Sequence, residues 1–265
     1  MTSFWSRVVV GAALLPVTLG LVWLGGWWMF ALVAIAALMA LHEYAGMTKR
    51  LAPLMAAAYL GALLTLIGER LGGVDWMVAG FLSTLVFAFL LKGIAETRPP
   101  TTVSVGATVL SVGWIALGLG YAMLLRDIPE HGRLAAFTVL IAVWAGDTFA
   151  YFGGRLLGRH KLAPATSPGK TWEGFVIGTA ATIFVCFVAL YDQDWVPIWE
   201  SVVLGAVIAI AGPIGDLFES AIKRDMEVKD SGQVLGGHGG MLDRLDAILF
   251  ACVASYYALL AFGAF

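Results

Sequence analysis

The charged residues of this sequence are concentrated near its carboxyl end. Between Asp216 and Asp246 the chain carries seven acidic and four basic side chains, although only 13% of the whole chain is charged. The acidic groups could hold a divalent cation, since oxygen ligands without His or Cys favour Mg²⁺ over zinc. Together, a metal ion and basic side chains could offset the charge that develops on phosphorus and pyrophosphate during phosphoryl or nucleotidyl transfer.

The spacing of these residues predicts how they would meet. Asp216, Ser220 and Lys223 are four and three positions apart, which places them on one face of a helix. Asp243 and Asp246 are three positions apart and share a face at the start of the last helix. We therefore expect Asp216, Asp243 and Asp246 to converge near the cytoplasmic surface and bind the metal ion, because clustered carboxylates stay ionised only where cations neutralise them.

Several residues beside these acids could contact phosphate or nucleotide. The predicted substrate-binding residues are Lys170, Ser220, Lys223, Arg224, Lys229, Asp230, His238 and Arg244. Lys223 is also a candidate catalytic residue, together with Asp243 and Asp246. Glycines flank His238 on both sides and would let backbone N–H groups approach a phosphate closely. The alternative interpretation is a solvated loop whose charges and glycine turns bind nothing.

A second polar stretch, around the run SPGKT, lies on the same predicted side of the membrane. Asp147 interrupts an apolar helix, where it could bind a second cation or merely pair with a nearby base. Lys170 belongs to SPGKT, which resembles the end of a P-loop, but Pro164 stands where that motif needs glycine. His42 and Glu43, at the inner end of the second predicted helix, are interpreted as an interfacial polar cap.

The composition indicates what kind of molecule must position these residues. The chain has 265 residues, of which 60% are hydrophobic and 13% charged, with a net charge of -2 and a mean hydropathy of +0.87. Soluble domains are about 45–50% apolar and about 25% charged. These values exclude a soluble globular enzyme and a basic nucleic-acid-binding protein, and the presence of only two cysteines excludes a disulfide scaffold.

Long stretches without charge predict about nine transmembrane helices, since a bilayer core needs about 20 apolar residues per helix. The helices are expected near residues 8–24, 27–43, 54–69, 76–91, 103–124, 134–152, 172–191, 201–222 and 245–263. A turn at Gly25-Gly26 would separate the first two. We therefore expect an all-α, polytopic membrane protein with a single membrane-embedded domain over residues 1–265, in which residues 147–246 carry the catalytic loops.

The loop charges indicate the orientation of these helices. With the N-terminus in the cytoplasm, most of the 16 Lys and Arg residues fall in inner segments, as the positive-inside rule requires. Both polar stretches then face the cytoplasm, where they could act on one substrate.

The run from Ser220 to Asp246 closely resembles the signature of the phosphatidate cytidylyltransferases, also called CDP-diacylglycerol synthases. The matching residues are Ser220, Ile222, Lys223, Arg224, Lys229, Asp230, Gly232, Leu235, Gly236, His238, Gly239, Gly240, Asp243, Arg244, Leu245 and Asp246. Upstream, residues 147–152 and 167–174 are similar to the family's Asp-x-x-Ala-Tyr-Phe and Ser-Pro-x-Lys-Thr-Trp-Glu-Gly stretches. The N-terminal helices match the family only in hydrophobic character and count.

The resemblance implies an enzyme of phospholipid biosynthesis that converts phosphatidate and CTP into CDP-diacylglycerol and pyrophosphate. It also implies a requirement for Mg²⁺, with K⁺ as a candidate second cation, and a homodimer in the bilayer. We expect a multi-pass protein of the bacterial cytoplasmic (inner) membrane, with the active site facing the cytoplasm.

Two other functions remain as alternatives. One is a CTP-dependent enzyme that acts on a polyprenyl alcohol or an ether lipid. The other is a cation-coupled transporter in which Asp147 and Asp216 bind the coupling ion. Transporters often have paired halves with broken helices, whereas the charge here is confined to one half of the chain, which favours an enzyme.

Overall fold

The computed structural model describes residues 15–95, 99–232 and 239–265. Its helices are α1 (Leu15–Leu24), α2 (Gly26–Met47), α3 (Met55–Ala95), α4 (Thr101–Ser111), α5 (Leu117–Arg126), α6 (Gly132–Leu157), α7 (Trp172–Leu190), α8 (Ile198–Asp225) and α9 (Leu242–Ala261). A π-helical turn, Val112–Ala116, joins α4 to α5. A short antiparallel hairpin of β1 (Lys161–Ala163) and β2 (Ser167–Thr171) lies between α6 and α7.

Seven helices in the described ranges are long and apolar enough to cross a membrane. One of the seven is the continuous helix Thr101–Arg126, and another is α3, which covers both the third and the fourth predicted spans. When the shorter helix α1 is counted as well, each of the nine predicted spans coincides with helical structure. Residues 8–14 of the first predicted span lie outside the described residues. The prediction of an all-α, polytopic membrane protein is confirmed.

Helix α3 is two helices joined by a tight turn. The break lies at Gly72 and Gly73, where φ is −152° and 64°; the second value is one that residues other than glycine rarely adopt. The two halves pack closely, since a β-carbon on Gly80 would lie 2.6 Å from the backbone nitrogen of Thr65. Small residues permit such close approach of helices in membranes, where van der Waals packing replaces the hydrophobic effect.

The chain divides into two compact units. The first contains α1 to α5 and the segment Asp225–Leu245, and the second contains Ile128–Arg224 and Asp246–Phe265. Helix α8 therefore belongs to the second unit up to Arg224, and α9 belongs to it from Asp246 onward.

In the first unit, the predicted turn between the first two helices is present. Gly25 has a φ of 66° at this turn. The guanidinium of Arg126, at the end of α5, donates to the carbonyl oxygens of Val22 and Trp23, both at 2.7 Å. These carbonyls have no partner inside α1 because they end the helix, so the arginine satisfies them.

In the second unit, α6 and α7 pack through glycines. A β-carbon on Gly178 would lie 2.7 Å from the carbonyl oxygen of Gly146, and one on Gly174 would lie 2.6 Å from that of Ala150. The hairpin that joins these helices pairs Lys161 with Thr171. We expected only a loop here, because strands of three and five residues with a Pro-Gly pair carry no alternating apolar pattern.

Candidate active site

The second unit gathers charged side chains from three helices and the hairpin. Asp147 lies on α6, Lys170 on β2, Asp216 on α8 and Asp246 on α9. The ammonium nitrogen of Lys170 is 2.8 Å from Oδ2 of Asp216. The carboxylates of Asp147 and Asp246 both interact electrostatically with Asp216, and Asp147 also interacts with Lys170. Three acidic groups from different helices thus lie close together near one basic group.

The environment of Asp216 is partly open. Its side chain is 35% exposed, and that of Lys170 is 21% exposed. Lys170 also donates to the carbonyl oxygen of Pro213 at 3.4 Å. On the other side, the hydroxyl of Ser220 donates to Oδ1 of Asp216 at 3.3 Å, so α8 places these two residues together as their spacing predicted. Solvent and ligands can therefore compete for the Asp216 carboxylate.

The hairpin holds Lys170 in place through its junction with α7. The hydroxyl of Thr171 caps α7 by accepting a hydrogen bond from the backbone N–H of Gly174 at 3.1 Å. The carboxylate of Glu173 accepts from the backbone N–H of His160 at 3.3 Å and lies 2.6 Å from Nδ1 of the same histidine. Both ends of the hairpin are therefore tied to the first turn of α7, directly beside Lys170.

Asp147 lines a small cavity between α6, α7 and α8. The cavity has a volume of about 40 Å³, and Gly146, Gly178, Thr179 and Pro213 also line it. Most of the lining is apolar, and a space of this size is large enough for a water molecule beside the Asp147 carboxylate.

Glu219 is a member of this site that the sequence analysis did not single out. Its side chain is fully buried, its Oε1 lies 3.3 Å from the ammonium nitrogen of Lys223, and its carboxyl group interacts with that of Asp246. Two carboxyl groups in contact need a shared proton or a cation between them. The spacing of three from Asp216 and four to Lys223 could have identified Glu219, because these residues share a helix face.

Helices α8 and α9 meet at a glycine next to the acidic groups. A β-carbon on Gly215 would collide with the backbone carbonyl of Asp246 and would lie 3.1 Å from the ring of Phe250. Asp246 itself accepts a hydrogen bond from the N–H of Ala247 at 2.7 Å. The close approach at Gly215 is what allows Asp216 and Asp246 to interact.

Asp243 lies in the first unit and has different partners. Its Oδ2 accepts from the backbone N–H groups of Ser231 at 3.3 Å and of Gly240 at 3.1 Å. Its carboxylate therefore holds the polypeptide backbone before and after residues 233–238. The joint binding of one metal ion by Asp216, Asp243 and Asp246 stays a prediction.

Within the described ranges, no group of three or more His, Cys, Asp or Glu side chains has the arrangement of a metal site. The donors nevertheless suit a hard cation. Asp216 and Asp246 offer carboxylate oxygens only, and the ammonium group of Lys170 already occupies the position of a cation on Asp216.

Of the other predicted substrate-binding residues, only Arg224 belongs to the second unit; Lys229, Asp230 and Arg244 belong to the first. Arg224 donates from Nε to the carbonyl oxygen of Thr166 at 3.2 Å, which links the end of α8 to the hairpin turn. Three more are exposed, namely Lys229, Asp230 and Arg244. His238 lies outside the described residues.

Glu43 is not the interfacial polar cap that the sequence analysis suggested. Its side chain is only 3% exposed, and its carboxylate accepts a hydrogen bond from the N–H of Leu242, the first residue of α9. The neighbouring His42 is exposed. No sequence signal could have revealed this contact, because it joins residues 199 positions apart.

A model of the cytidylyltransferase family matches residues 5–262 of the chain. The chain belongs to this family. It is 33% identical over 250 residues to the phosphatidate cytidylyltransferase of Staphylococcus haemolyticus. The aligned residues make up 92% of this chain and 94% of the relative. The enzyme of the same name from Mycobacterium bovis is 34% identical over 86% of this chain and 79% of its own length.

The phosphatidate cytidylyltransferase of Bacillus subtilis is 37% identical to this chain over 160 residues, which make up 60% of each chain. The resemblance seen in the signature is therefore confirmed. It extends over nearly the whole chain, including the N-terminal helices, where the sequence analysis found only a shared hydrophobic character.

Proposed function

We propose that this protein transfers CMP from CTP to phosphatidate in a bacterial cell membrane, giving CDP-diacylglycerol and pyrophosphate for phospholipid biosynthesis. The observation that carries the proposal is the ion pair between Lys170 and Asp216. Lys170 belongs to the upstream stretch that resembles the family, and Asp216 directly precedes the downstream signature. The two stretches thus meet at one group of charges inside a bundle of membrane helices.

The acceptor is the phosphate of phosphatidate, whose acyl chains remain in the lipid. One of its oxygens attacks the α-phosphorus of CTP, a new oxygen–phosphorus bond forms, and the bond to pyrophosphate breaks. This phosphate is already ionised, so it needs little help from a general base. Positioning and charge neutralisation by the protein therefore supply most of the rate enhancement.

Basic residues on the hairpin and in the signature bind the phosphates. Lys170, whose ammonium group pairs with Asp216, would contact a phosphate if a metal ion took its place on that carboxylate. Lys223 is held beside Glu219 near the C-terminal end of α8. The further contacts are Ser220, Arg224, Lys229, Asp230, His238 and Arg244.

The cofactor in this proposal is Mg²⁺, held by Asp216 and Asp246 together with Asp243. When bound, it supplies positive charge that offsets the triphosphate. The oxygen-only donors and the ammonium group on Asp216 support this choice. A second, monovalent cation such as K⁺ is proposed at Asp147, the one carboxylate among the described residues that line the small cavity.

We further propose that the N-terminus and the active site face the cytoplasm, and that two chains form a homodimer. The distribution of Lys and Arg supports the orientation. A cytoplasmic active site would also meet CTP where that nucleotide is made.

The test is to supply the purified protein with CTP, phosphatidate and Mg²⁺ and to measure pyrophosphate and CDP-lipid together. We expect equal amounts of both products, and none in EDTA. Release of CDP instead of pyrophosphate would indicate a lipid kinase and would contradict the proposal. Turnover with a polyprenyl alcohol or an ether lipid but not with phosphatidate would contradict the assigned acceptor. Cation uptake into vesicles without CTP turnover would favour a transporter.

A further inference from the structure

Glu43 is distant from the signature in sequence but touches it in the first unit. Its Oε2 accepts hydrogen bonds from the backbone N–H of Leu242 at 2.9 Å and from the hydroxyl of Ser231 at 3.4 Å. Leu242 begins α9, so a carboxylate on α2 caps another helix and interacts favourably with its dipole. The single carboxylate thereby holds two points of the signature that are eleven residues apart in the chain.

Two glycines make room for this carboxylate. A β-carbon on Gly232 would lie 2.8 Å from Oε1 of Glu43, and one on Gly240 would lie 2.7 Å from its Oε2. Such distances are shorter than a carbon and an oxygen tolerate, so neither position can carry a side chain while Glu43 stays in place. The backbone on both sides of residues 233–238 therefore packs directly against the same buried group.

Asp243 contributes further hydrogen bonds to the backbone that Glu43 holds. Its Oδ2 accepts from the N–H groups of Ser231 and Gly240, and a β-carbon on Gly240 would lie 2.8 Å from that oxygen. Together, Glu43 and Asp243 accept hydrogen bonds from the backbone N–H groups of Ser231, Gly240 and Leu242. Because Glu43 is 3% exposed, its charge would be costly to bury without these donors.

We propose that Glu43 is a positioning residue for the cytidylyl transfer. It fixes the backbone at Ser231–Gly232 and Gly240–Leu242, and so sets the position of Asp243. This inference rests on the proposed function, because it assigns Glu43 to the geometry of that reaction. A displacement of about 1 Å in a reacting group can reduce turnover about 100-fold, so the attachment matters although Glu43 does not touch the substrate.

The experiment compares two disruptive variants with one conservative variant. Glu43→Ala removes the acceptor. Gly240→Ala places a β-carbon against the hydroxyl of Ser231, Oε2 of Glu43 and Oδ2 of Asp243, so it disturbs the attachment while leaving the Glu43 carboxylate present. Glu43→Gln keeps a carbonyl oxygen that can accept from Leu242 and Ser231. The matched controls are Glu69→Ala, at a buried glutamate of α3 in the same unit, and Gly46→Ala, where an added β-carbon meets nothing within 4 Å.

Two readouts separate positioning from general stability. The first is amide hydrogen exchange in the absence of CTP, for peptides that cover residues 226–232 and 239–245. The second is the division of the kinetic effect between kcat and KM for CTP. We expect Glu43→Ala and Gly240→Ala to speed exchange in these two peptides and to lower kcat at least about tenfold, with KM changed less than kcat. Glu43→Gln should stay within about threefold of the wild-type kcat.

The proposal is overturned if Glu43→Ala or Gly240→Ala leaves exchange in the two peptides unchanged, or if Glu69→Ala lowers kcat as much as Glu43→Ala does. If Glu43→Ala does not fold, Gly240→Ala and Glu43→Gln decide between the outcomes. Exchange is measured without substrate, so it tests the attachment even if the wild-type protein makes no CDP-lipid. That last result would overturn the proposed function, and the assignment of Glu43 to the reaction with it.

Discussion

The two units hold their carboxylates in opposite ways. In the second unit, Asp216 is paired with the ammonium group of Lys170, and both side chains are partly exposed, by 35% and 21%. In the first unit, Glu43 and Asp243 accept hydrogen bonds from backbone N–H groups, and Glu43 is 3% exposed. A side-chain ammonium can leave and be replaced by a metal ion or by solvent, whereas a backbone N–H can leave only if the chain moves.

This difference indicates two roles for the carboxylates, namely binding of ligands in the second unit and positioning of the backbone in the first. In the proposed reaction, the carboxylates of the second unit would exchange cations, whereas those of the first unit hold the backbone at Ser231, Gly240 and Leu242. Asp243 is the residue on which the two roles meet, since it is both a predicted metal ligand and an acceptor for the backbone. The following predictions test that contrast.

The largest effect is expected for Asp216→Asn and Asp246→Asn. Each should lower kcat at least about 100-fold, because an amide cannot replace the negative charge that holds the metal ion. Both proteins should remain folded, as judged by their melting temperature. Asp192→Asn, an exposed position with a φ of 61° that Asn tolerates, is the matched control and should keep wild-type activity. Wild-type rates for the Asp216 and Asp246 variants at limiting Mg²⁺ would contradict the metal assignment.

Lys170→Met should lower kcat about 10- to 100-fold through loss of a phosphate contact. The same change should make Mg²⁺ bind more tightly in the absence of CTP, because the ammonium group no longer competes for Asp216. Titration of Mg²⁺ against the melting temperature measures this second effect. Lys161→Met, in the exposed part of the same hairpin, serves as the control. Weaker Mg²⁺ binding by Lys170→Met would show that Lys170 and the metal ion do not compete.

Asp243→Asn should lose turnover and also lose stability, unlike Asp216→Asn. The amide is a weaker acceptor for the N–H groups of Ser231 and Gly240, and hydrogen bonds to charged groups contribute about 1.5–3 kcal/mol. Thermal unfolding of the two variants in the same detergent measures the difference. If Asp243→Asn and Asp216→Asn melt at the same temperature, the carboxylates of the two units do not differ in their contribution to stability.

The smallest effect is expected for Thr171→Ala. Loss of the cap on α7 should cost about 1 kcal/mol of stability and lower kcat slightly, because Lys170 precedes the cap directly. Thr171→Ser retains the hydroxyl and should restore both values. A kcat that stays at the wild-type value while stability falls would show that the cap does not help to position Lys170.

Much of the fold could be predicted from the sequence. Hydrophobic stretches locate the helices, and the glycine pair at residues 25–26 locates the first turn, because each depends on residues that are close together in the chain. The glycine pair at the turn inside α3 was not singled out from the sequence. The family and its activity were likewise readable from the signature, and the family match confirms both. The hairpin before Lys170 was not predicted, since its strands are too short to carry a periodic pattern.

The sequence by itself determined that this is a multi-pass membrane protein with a cytidylyltransferase signature, and which charged residues bear on its chemistry. Only the tertiary structure decided the partners of those residues. It pairs Lys170 with Asp216, brings the carboxyl group of Glu219 to that of Asp246, and places Glu43 against the signature from 199 positions away. Helix periodicity relates residues within a few turns, whereas these contacts depend on which helices pack together, and that is set by close approaches such as the one at Gly215.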